Sequence, residues 1–149
     1  MNDATLIANL LYRYAECMDT GDFAAAAQLF ARARVTMRTD EIKTGSAAML
    51  QVWESFTRRY PDGTPMTKHV ITNPIIEIDE EKGTATCRSY YTVLQATPDL
   101  PLQIICAGRY HDAFAKDNDG WHYTQRDYSM LDHVGDVSHH LLMGAAIAE

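Results

Sequence analysis

The segment RYAECMDTGDF, residues 13–23, decides the fold, because it has the pattern of one amphipathic helix ending, a tight turn and a second helix beginning. Gly21 interrupts the helical pattern, and Asp22 can cap the next helix through its carboxylate. The turn places an acid, Asp19, where a mostly apolar helical face ends. A lone acid there carries little information, so its meaning depends on a partner, and the candidate is His69.

The length and composition predict one soluble domain over residues 1–149, because 149 residues suffice for one substantial core. The net charge of −7, without a cluster of Lys and Arg, argues against nucleic acid as a partner. The three cysteines lack metal-ligand or disulfide-framework spacing, so we expect a reducing, cytoplasmic location. Polar residues interrupt the N-terminal apolar run, and the apolar stretch 141–148 is short, so we expect neither a secretory signal nor membrane contact.

The first part of the chain has helical periodicity. Asn2 or Asp3 can cap a first helix, whose apolar stripe consists of Leu6, Ile7, Leu10, Leu11, Tyr14 and Met18. A second helix begins after Asp22. Residues 35–38 alternate as a short strand, and a third helix is predicted over residues 47–60. The buried side of that third helix is predicted to carry Met49, Leu50, Trp53 and Phe56.

After residue 67 the period changes from helical to two, which predicts strands over 68–79, 84–96, 102–114 and 121–131. Pro74 marks a bulge or an edge position, and Asn118-Asp119-Gly120 is a hairpin signal. This order predicts an α+β fold in which a long, curved antiparallel sheet and three helices enclose a pocket. Such cavities bind small molecules, so we expect a small-molecule substrate.

Asp19 and His69 are the candidate catalytic pair. Moving a proton on or off carbon near neutral pH needs a base such as imidazole, and a carboxylate behind the ring fixes its tautomer. Tyr14 lies on the inward stripe and could donate a hydrogen bond to an enolate or leaving oxygen. The structural alternatives remain open: His69 as a hydrogen-bonded core residue, Asp19 as a helix-end acid and Tyr14 as a core tyrosine.

Four further side chains are predicted to contact the substrate: Arg126, Trp53, Tyr90 and Tyr110. Arg109 or Arg126 could bind a carboxylate through the planar guanidinium, or either could form a cross-strand ion pair on a solvated face; Arg126 is preferred for the pocket. The acidic and histidine residues between 132 and 140 match no metal-ligand spacing, and neighbouring His139 and His140 point in different directions. We therefore expect a mobile polar segment there, no metal and no cofactor.

Three stretches carry a resemblance to SnoaL-like domains of the nuclear transport factor 2-like superfamily. They are Tyr14 with 19–23 and 29–30, the strand residues 68–73, and residues 108–112 with 119–121 and Arg126. The motifs are most similar to those of scytalone dehydratase, the bile acid 7α-dehydratases and lindane dehydrochlorinase. The resemblance implies a cone-shaped α+β fold with a pocket between the curved antiparallel sheet and the helices. It also implies that Asp19 pairs with His69, that Tyr14 matches a catalytic tyrosine and that the protein is a dimer or trimer. The second histidine of scytalone dehydratase has no clear match.

Two functions of different classes follow. The first is a cofactor-independent, dehydratase-like lyase or isomerase acting on a small, apolar, ring-containing molecule, with a polyketide-cyclase-like reaction as a variant of the same acid–base chemistry. The second is a non-catalytic ligand-binding or subunit module, like the small subunit of ring-hydroxylating dioxygenases. The segment from Ser138 is weakly patterned, and it could form a short helix that covers the pocket or a partner subunit.

Overall fold

The computed structural model describes residues 1–142, in which three helices pack against one bent sheet. The helices are α1 (Asp3–Asp19), α2 (Phe23–Leu29) and α3 (Ser46–Phe56). The strands are β1 (Arg34–Thr36), β2 (Ile42–Thr44), β3 (Thr67–Asp79), β4 (Thr84–Thr97), β5 (Leu100–Asp117), β6 (Gly120–Asp127) and β7 (Leu131–Val134). The predicted α+β class, with three helices beside a curved sheet, is confirmed.

The sheet has the strand order β2-β1-β6-β5-β4-β3, and β7 pairs with the first half of β5. It is mixed, because β1 runs parallel to β6, with Val35 opposite Arg126. The predicted antiparallel meander is present in β3 to β6, and the short early strand, whose place in the sheet the sequence left unassigned, adds to it in parallel. The strands β2 and β7, of three and four residues, are too short for alternation to reveal them in the sequence.

Bulges give the sheet its bend. The register between β3 and β4 shifts between Thr72 and Ile75, on either side of Pro74, as the sequence predicts. Further register shifts occur in the pairing of β5 with each of its three partners, β4, β6 and β7. Because each extra residue kinks its strand, the long strands curve around the helices.

The helices α1 and α2 each begin at a side-chain cap, whereas α3 begins after Gly45 without one. The Asn2 side chain accepts from the Thr5 amide at 2.8 Å, and Asp22 accepts from the Ala25 amide at 3.1 Å. The third helix was expected to reach residue 60, but Thr57 is extended and forms an isolated antiparallel bridge with Leu141. The bridge to Leu141 thus ends α3 earlier than predicted. Phe56, which was predicted on the buried side of this helix, is 42% exposed.

The core lies between α1, α2 and the concave face of β4, β5 and β6. Its largest fully buried apolar and aromatic side chains include Ile7, Leu11, Phe23, Phe30, Met49, Ile105, Tyr110, Phe114 and Tyr123. Leu6, expected on the buried stripe, is 38% exposed. Over residues 1–142, no helix has the length and hydropathy that a bilayer span requires. Of the weakly patterned end of the chain, 138–142 form turns and the bridge to Thr57, whereas 143–149 lie outside the described residues.

Candidate active site

Asp19 and His69 meet where the end of α1 packs on the beginning of β3. The Asp19 carboxylate lies 2.6 Å from His69 Nδ1 and accepts from the His69 backbone amide at 2.7 Å. It also accepts from the Thr67 hydroxyl at 2.8 Å. Both side chains are nearly buried, with 9% and 6% of their surfaces exposed. The carboxylate therefore holds the ring by one nitrogen, which leaves Nε2 as the ring atom available to a ligand.

The turn after α1 fixes the position of this carboxylate. Gly21 has a φ of 79°, a conformation that glycine adopts without strain. A Cβ at this position would collide with the backbone oxygen of Gly63. Since the turn touches the loop that leads into β3, the two halves of the Asp19–His69 pair are positioned by adjoining backbone.

The charge on Asp19 is stabilised by its partners. Burial raises the pKa of a carboxyl, but the hydrogen bonds and charge of His69, with the bond from Thr67, outweigh that effect and lower the pKa of Asp19 below its usual value. The group is therefore an anion at neutral pH. An anion at Nδ1 favours the tautomer with the proton on that nitrogen and a lone pair on Nε2.

A surface depression of about 280 Å³ borders the pair. Side chains from α1 and β3 line it, including Tyr12, Asp19, Thr20, His69 and Ile71. The depression therefore adjoins the Asp19–His69 pair at the seam between α1 and β3.

Tyr14 lies one helical turn before the pair and is 3% exposed. Its ring centroid is 6.1 Å from that of His69, and its hydroxyl accepts from the Tyr128 hydroxyl at 2.6 Å. Burial raises the pKa of Tyr14, against opposing effects that include the Arg126 charge. The phenol is thus neutral, and its own hydroxyl proton can be donated.

Arg126 is fully buried and forms a two-bond ion pair with Asp112, at 2.7 and 3.0 Å. Its Cζ lies 3.8 Å from the ring centroid of Tyr110 and 4.5 Å from that of Tyr14. Burial opposes the charge, but Asp112 and neighbouring tyrosines keep the pKa of Arg126 above its ordinary value. Within residues 1–142 its Nη1 has no hydrogen-bond partner. Arg126 is therefore a cation in the interior, surrounded by rings.

The other predicted contact residues divide between the interior and the surface. Trp53 and Tyr110 are 6% and 1% exposed, and both rings pack near Tyr14. Tyr90 points away from the interior with 56% of its surface exposed, and its contact with a substrate stays a prediction. Successive strand residues face opposite sides, and Tyr91 is the inward one, stacked on Tyr110 at 4.2 Å.

Arg109 and the segment beyond β6 also occupy definite positions. Arg109 forms an ion pair with Asp132 at the surface. Of the two roles that the sequence allowed for this arginine, carboxylate binding or a solvated ion pair, this is the second. His140 was expected in a mobile polar segment, but it is 7% exposed, with its ring centroid 6.4 Å from that of His69. Sequence reasoning missed it; the apolar Val137 and Leu141 beside it were the available signal. The described residues contain no cluster of three metal-binding side chains.

Comparison with known proteins gives a family and a fold. The family model described as SnoaL-like domain matches residues 1–127, whereas comparison with curated proteins gives no significant match. A nuclear transport factor 2-like protein with a cystatin-like fold from Novosphingobium aromaticivorans superposes with a TM-score of 0.72 at 19% identity, covering 87% of this chain and 82% of that one.

Two further structures from Novosphingobium aromaticivorans have the same fold. A proposed scytalone dehydratase superposes with a TM-score of 0.63 at 24% identity, over 81% of this chain and 78% of that one. A proposed aromatic ring hydroxylase gives 0.70 at 21% identity, over 92% and 95%. At these identities the likeness establishes the architecture alone.

Proposed function

Because this chain belongs to the SnoaL-like domain family, we propose that it is a cofactor-independent lyase or isomerase acting on a small, apolar, ring-containing molecule. The observation that carries the proposal is the Asp19 carboxylate 2.6 Å from His69 Nδ1. A carboxylate there orients the ring and stabilises the imidazolium that forms when Nε2 accepts a proton. The same pair without an accessible ligand site would be structural, but the depression at the α1–β3 seam reaches both residues.

In the proposed reaction His69 Nε2 removes a proton from a carbon of the substrate, and the C–H electron pair forms a new double bond. In a dehydration, the neighbouring C–O bond breaks, and the leaving oxygen takes a proton from the imidazolium to leave as water. His69 returns to its neutral form. Tyr14 donates its hydroxyl proton in a hydrogen bond to an oxygen of the substrate, since its own acceptor site is filled by Tyr128.

The interior arginine has a supporting role in this proposal. Arg126 is held by Asp112, and its Cζ lies over the rings of Tyr14 and Tyr110. Its positive charge favours negative charge developing on an oxygen near Tyr14. Trp53 and Tyr110 would supply the apolar walls.

The test is proton exchange at carbon in D₂O, followed by ¹H NMR on a panel of bicyclic ketones and β-hydroxy ketones. We expect the wild-type protein to accelerate exchange or water loss for at least one compound. His69→Ala should lower that rate by at least about 100-fold, as expected for removing a general base. His111→Ala, which removes an exposed strand histidine, should leave the rate unchanged. A folded His69→Ala variant with the wild-type rate would refute the proposal.

A second candidate is a non-catalytic subunit or ligand-binding module, akin to the small subunit of ring-hydroxylating dioxygenases. The observation that favours it is the filled interior, where Arg126 Cζ lies within 5.4 Å of the ring centroids of Tyr14, Phe30, Tyr110, Tyr123 and Tyr128. The likeness to a proposed aromatic ring hydroxylase agrees with it. Stoichiometric recovery of an iron–sulfur subunit with the chain, together with no exchange activity, would favour this candidate.

We also propose a cytoplasmic homo-oligomer, a dimer or trimer. The outer face of β4 and β5 exposes Tyr90, Leu102 and Ile104, by 56%, 72% and 60%. Apolar side chains gathered on one sheet face are typical of association surfaces. Light scattering after size-exclusion chromatography should give two or three times the chain mass of 16.8 kDa, and a monomer would contradict this proposal.

A further inference from the structure

His140 brings a second imidazole next to His69. The two ring centroids are 6.4 Å apart and the ring planes make an angle of 71°. His140 is 7% exposed, and its Nδ1 is buried without a hydrogen-bond partner in the described part of the chain. Buried polar atoms are almost always partnered. An unpartnered ring nitrogen beside the Asp19–His69 pair therefore points to a ligand atom or a bound water.

The backbone around His140 is fixed. The His140 carbonyl accepts from the Arg58 amide at 2.8 Å. The His139 carbonyl accepts from the Gln95 side chain at 3.0 Å and from the Tyr60 hydroxyl at 2.5 Å. The Leu142 amide donates to the carbonyl of Phe56 at 2.9 Å. These bonds tie the segment to the end of α3 and to β4, so the position of the His140 ring is set by contacts on both sides.

His140 is uncharged at neutral pH. Burial and, to a smaller extent, the nearby charge of His69 lower its pKa to about 4, although Asp19 opposes the shift. A neutral imidazole has one N–H donor and one acceptor nitrogen. It can therefore polarise an oxygen by hydrogen bonding without giving up its proton.

The spacing of the rings excludes a direct hydrogen bond between them. With centroids 6.4 Å apart, nitrogens of the two rings cannot approach closer than about 4 Å, which is too long for a direct hydrogen bond. One oxygen between them could be within reach of both.

We propose that His140 donates a hydrogen bond from Nδ1 to an oxygen of the substrate, next to the carbon from which His69 removes a proton. The proposal rests on the proposed function and specifies it. The substrate would be a ring-containing ketone or alcohol, and not a hydrocarbon or haloalkane. The Asp19–His69 pair would move the proton, while His140 would select molecules with an oxygen at the adjacent position. His140 would thus contact the substrate from the segment that follows β7, whereas Asp19 and His69 lie on α1 and β3.

The test uses two probes that differ by one oxygen, 1-indanone and indane. Protein labelled with ¹⁵N-histidine is titrated with each probe, and the imidazole nitrogens are followed by long-range ¹H–¹⁵N spectra. We expect His140 to be neutral with its proton on Nδ1, and 1-indanone to shift that nitrogen. We expect 1-indanone to bind about tenfold more tightly than indane, the size of one hydrogen bond in a buried site.

Variants separate the ring nitrogen from the fold. His140→Phe should bind both probes equally, while His139→Phe, the same change one residue earlier, should keep the preference. If His140→Phe does not fold, His140→Gln, which retains an N–H donor, provides the comparison and should retain part of the preference. The proposal is overturned if the wild type binds neither probe, if it binds both equally, if His140 carries its proton on Nε2, or if a folded His140→Phe keeps the preference.

This binding comparison is independent of turnover. The proposed function fails if His69→Ala retains the exchange rate, which is a kinetic result. The His140 proposal fails on the affinities and the ¹⁵N shifts of the two probes, whatever the exchange rate.

Discussion

Replacing Asp19 by Asn tests whether the carboxylate controls the state of the His69 ring. The carboxylate accepts three hydrogen bonds, at 2.6, 2.7 and 2.8 Å. An amide has one oxygen and one NH₂ group. Because the His69 backbone amide can only donate, the amide oxygen should face it and the NH₂ group should face Nδ1. The ring would then carry its proton on Nε2 and could no longer act as a base.

The size of the effect follows from the bonds that change. Hydrogen bonds to a charged group contribute about 1 kcal/mol more than neutral ones, so converting two or three of them should lower the free energy of unfolding by about 2 kcal/mol. For a chain of this length the melting temperature should fall by roughly 4–8 °C. The exchange rate should fall by about 10²- to 10⁴-fold, the contribution of a general base that the wrong tautomer removes.

Asp22→Asn is the matched control, because Asp22 is an exposed cap three residues later and Asn caps a helix about as well as Asp. Thermal unfolding and ¹⁵N spectra of the His69 ring, with the exchange assay, provide the measurements. An Asp19→Asn variant whose ring keeps its proton on Nδ1, or whose stability and rate equal those of the wild type, would refute the reasoning.

Three further outcomes are expected. The free energy of unfolding should fall between pH 6.5 and about 4, because His140 takes up a proton in the unfolded chain at its ordinary pKa of 6.5 but only near 4 when folded. This loss of about 3 kcal/mol should be much smaller in His140→Phe, as urea titrations at each pH would measure. Equal pH profiles of the two proteins would contradict the prediction. Gly21→Ala should lower the free energy of unfolding by about 2 kcal/mol or more, since the added methyl meets the Gly63 backbone at a positive φ; a wild-type melting temperature would count against this account of the turn. Arg126→Met should lower the free energy of unfolding by about 3–5 kcal/mol, because it leaves Asp112 buried and unpaired. Arg109→Met, at the exposed pair with Asp132, should change stability little. Similar urea midpoints for the two variants would show the buried pair to be unimportant.

The sequence alone carried the architecture and the central pair. Helical periodicity before residue 57 and strand periodicity after residue 67 reflect which face of each element is buried, so they can be read without coordinates. The capped turn at 20–22 and the bulge at Pro74 depend on local backbone preferences, which the residues themselves specify. The pairing of Asp19 with His69 came from the family resemblance added to that pattern, and the structure places the two in direct contact.

Tertiary structure decided what depends on contacts between distant segments. β1 joins the sheet by pairing parallel to β6, which no local pattern encodes. The third helix ends early because Thr57 meets Leu141. His140 lies inside because its carbonyl and that of His139 accept hydrogen bonds from the backbone just after α3 and from β4. Arg126 is buried because Asp112, opposite it on β5, neutralises its charge. Periodicity reports the burial of each residue along its own element, whereas these positions are set by partners 14 to 91 residues away.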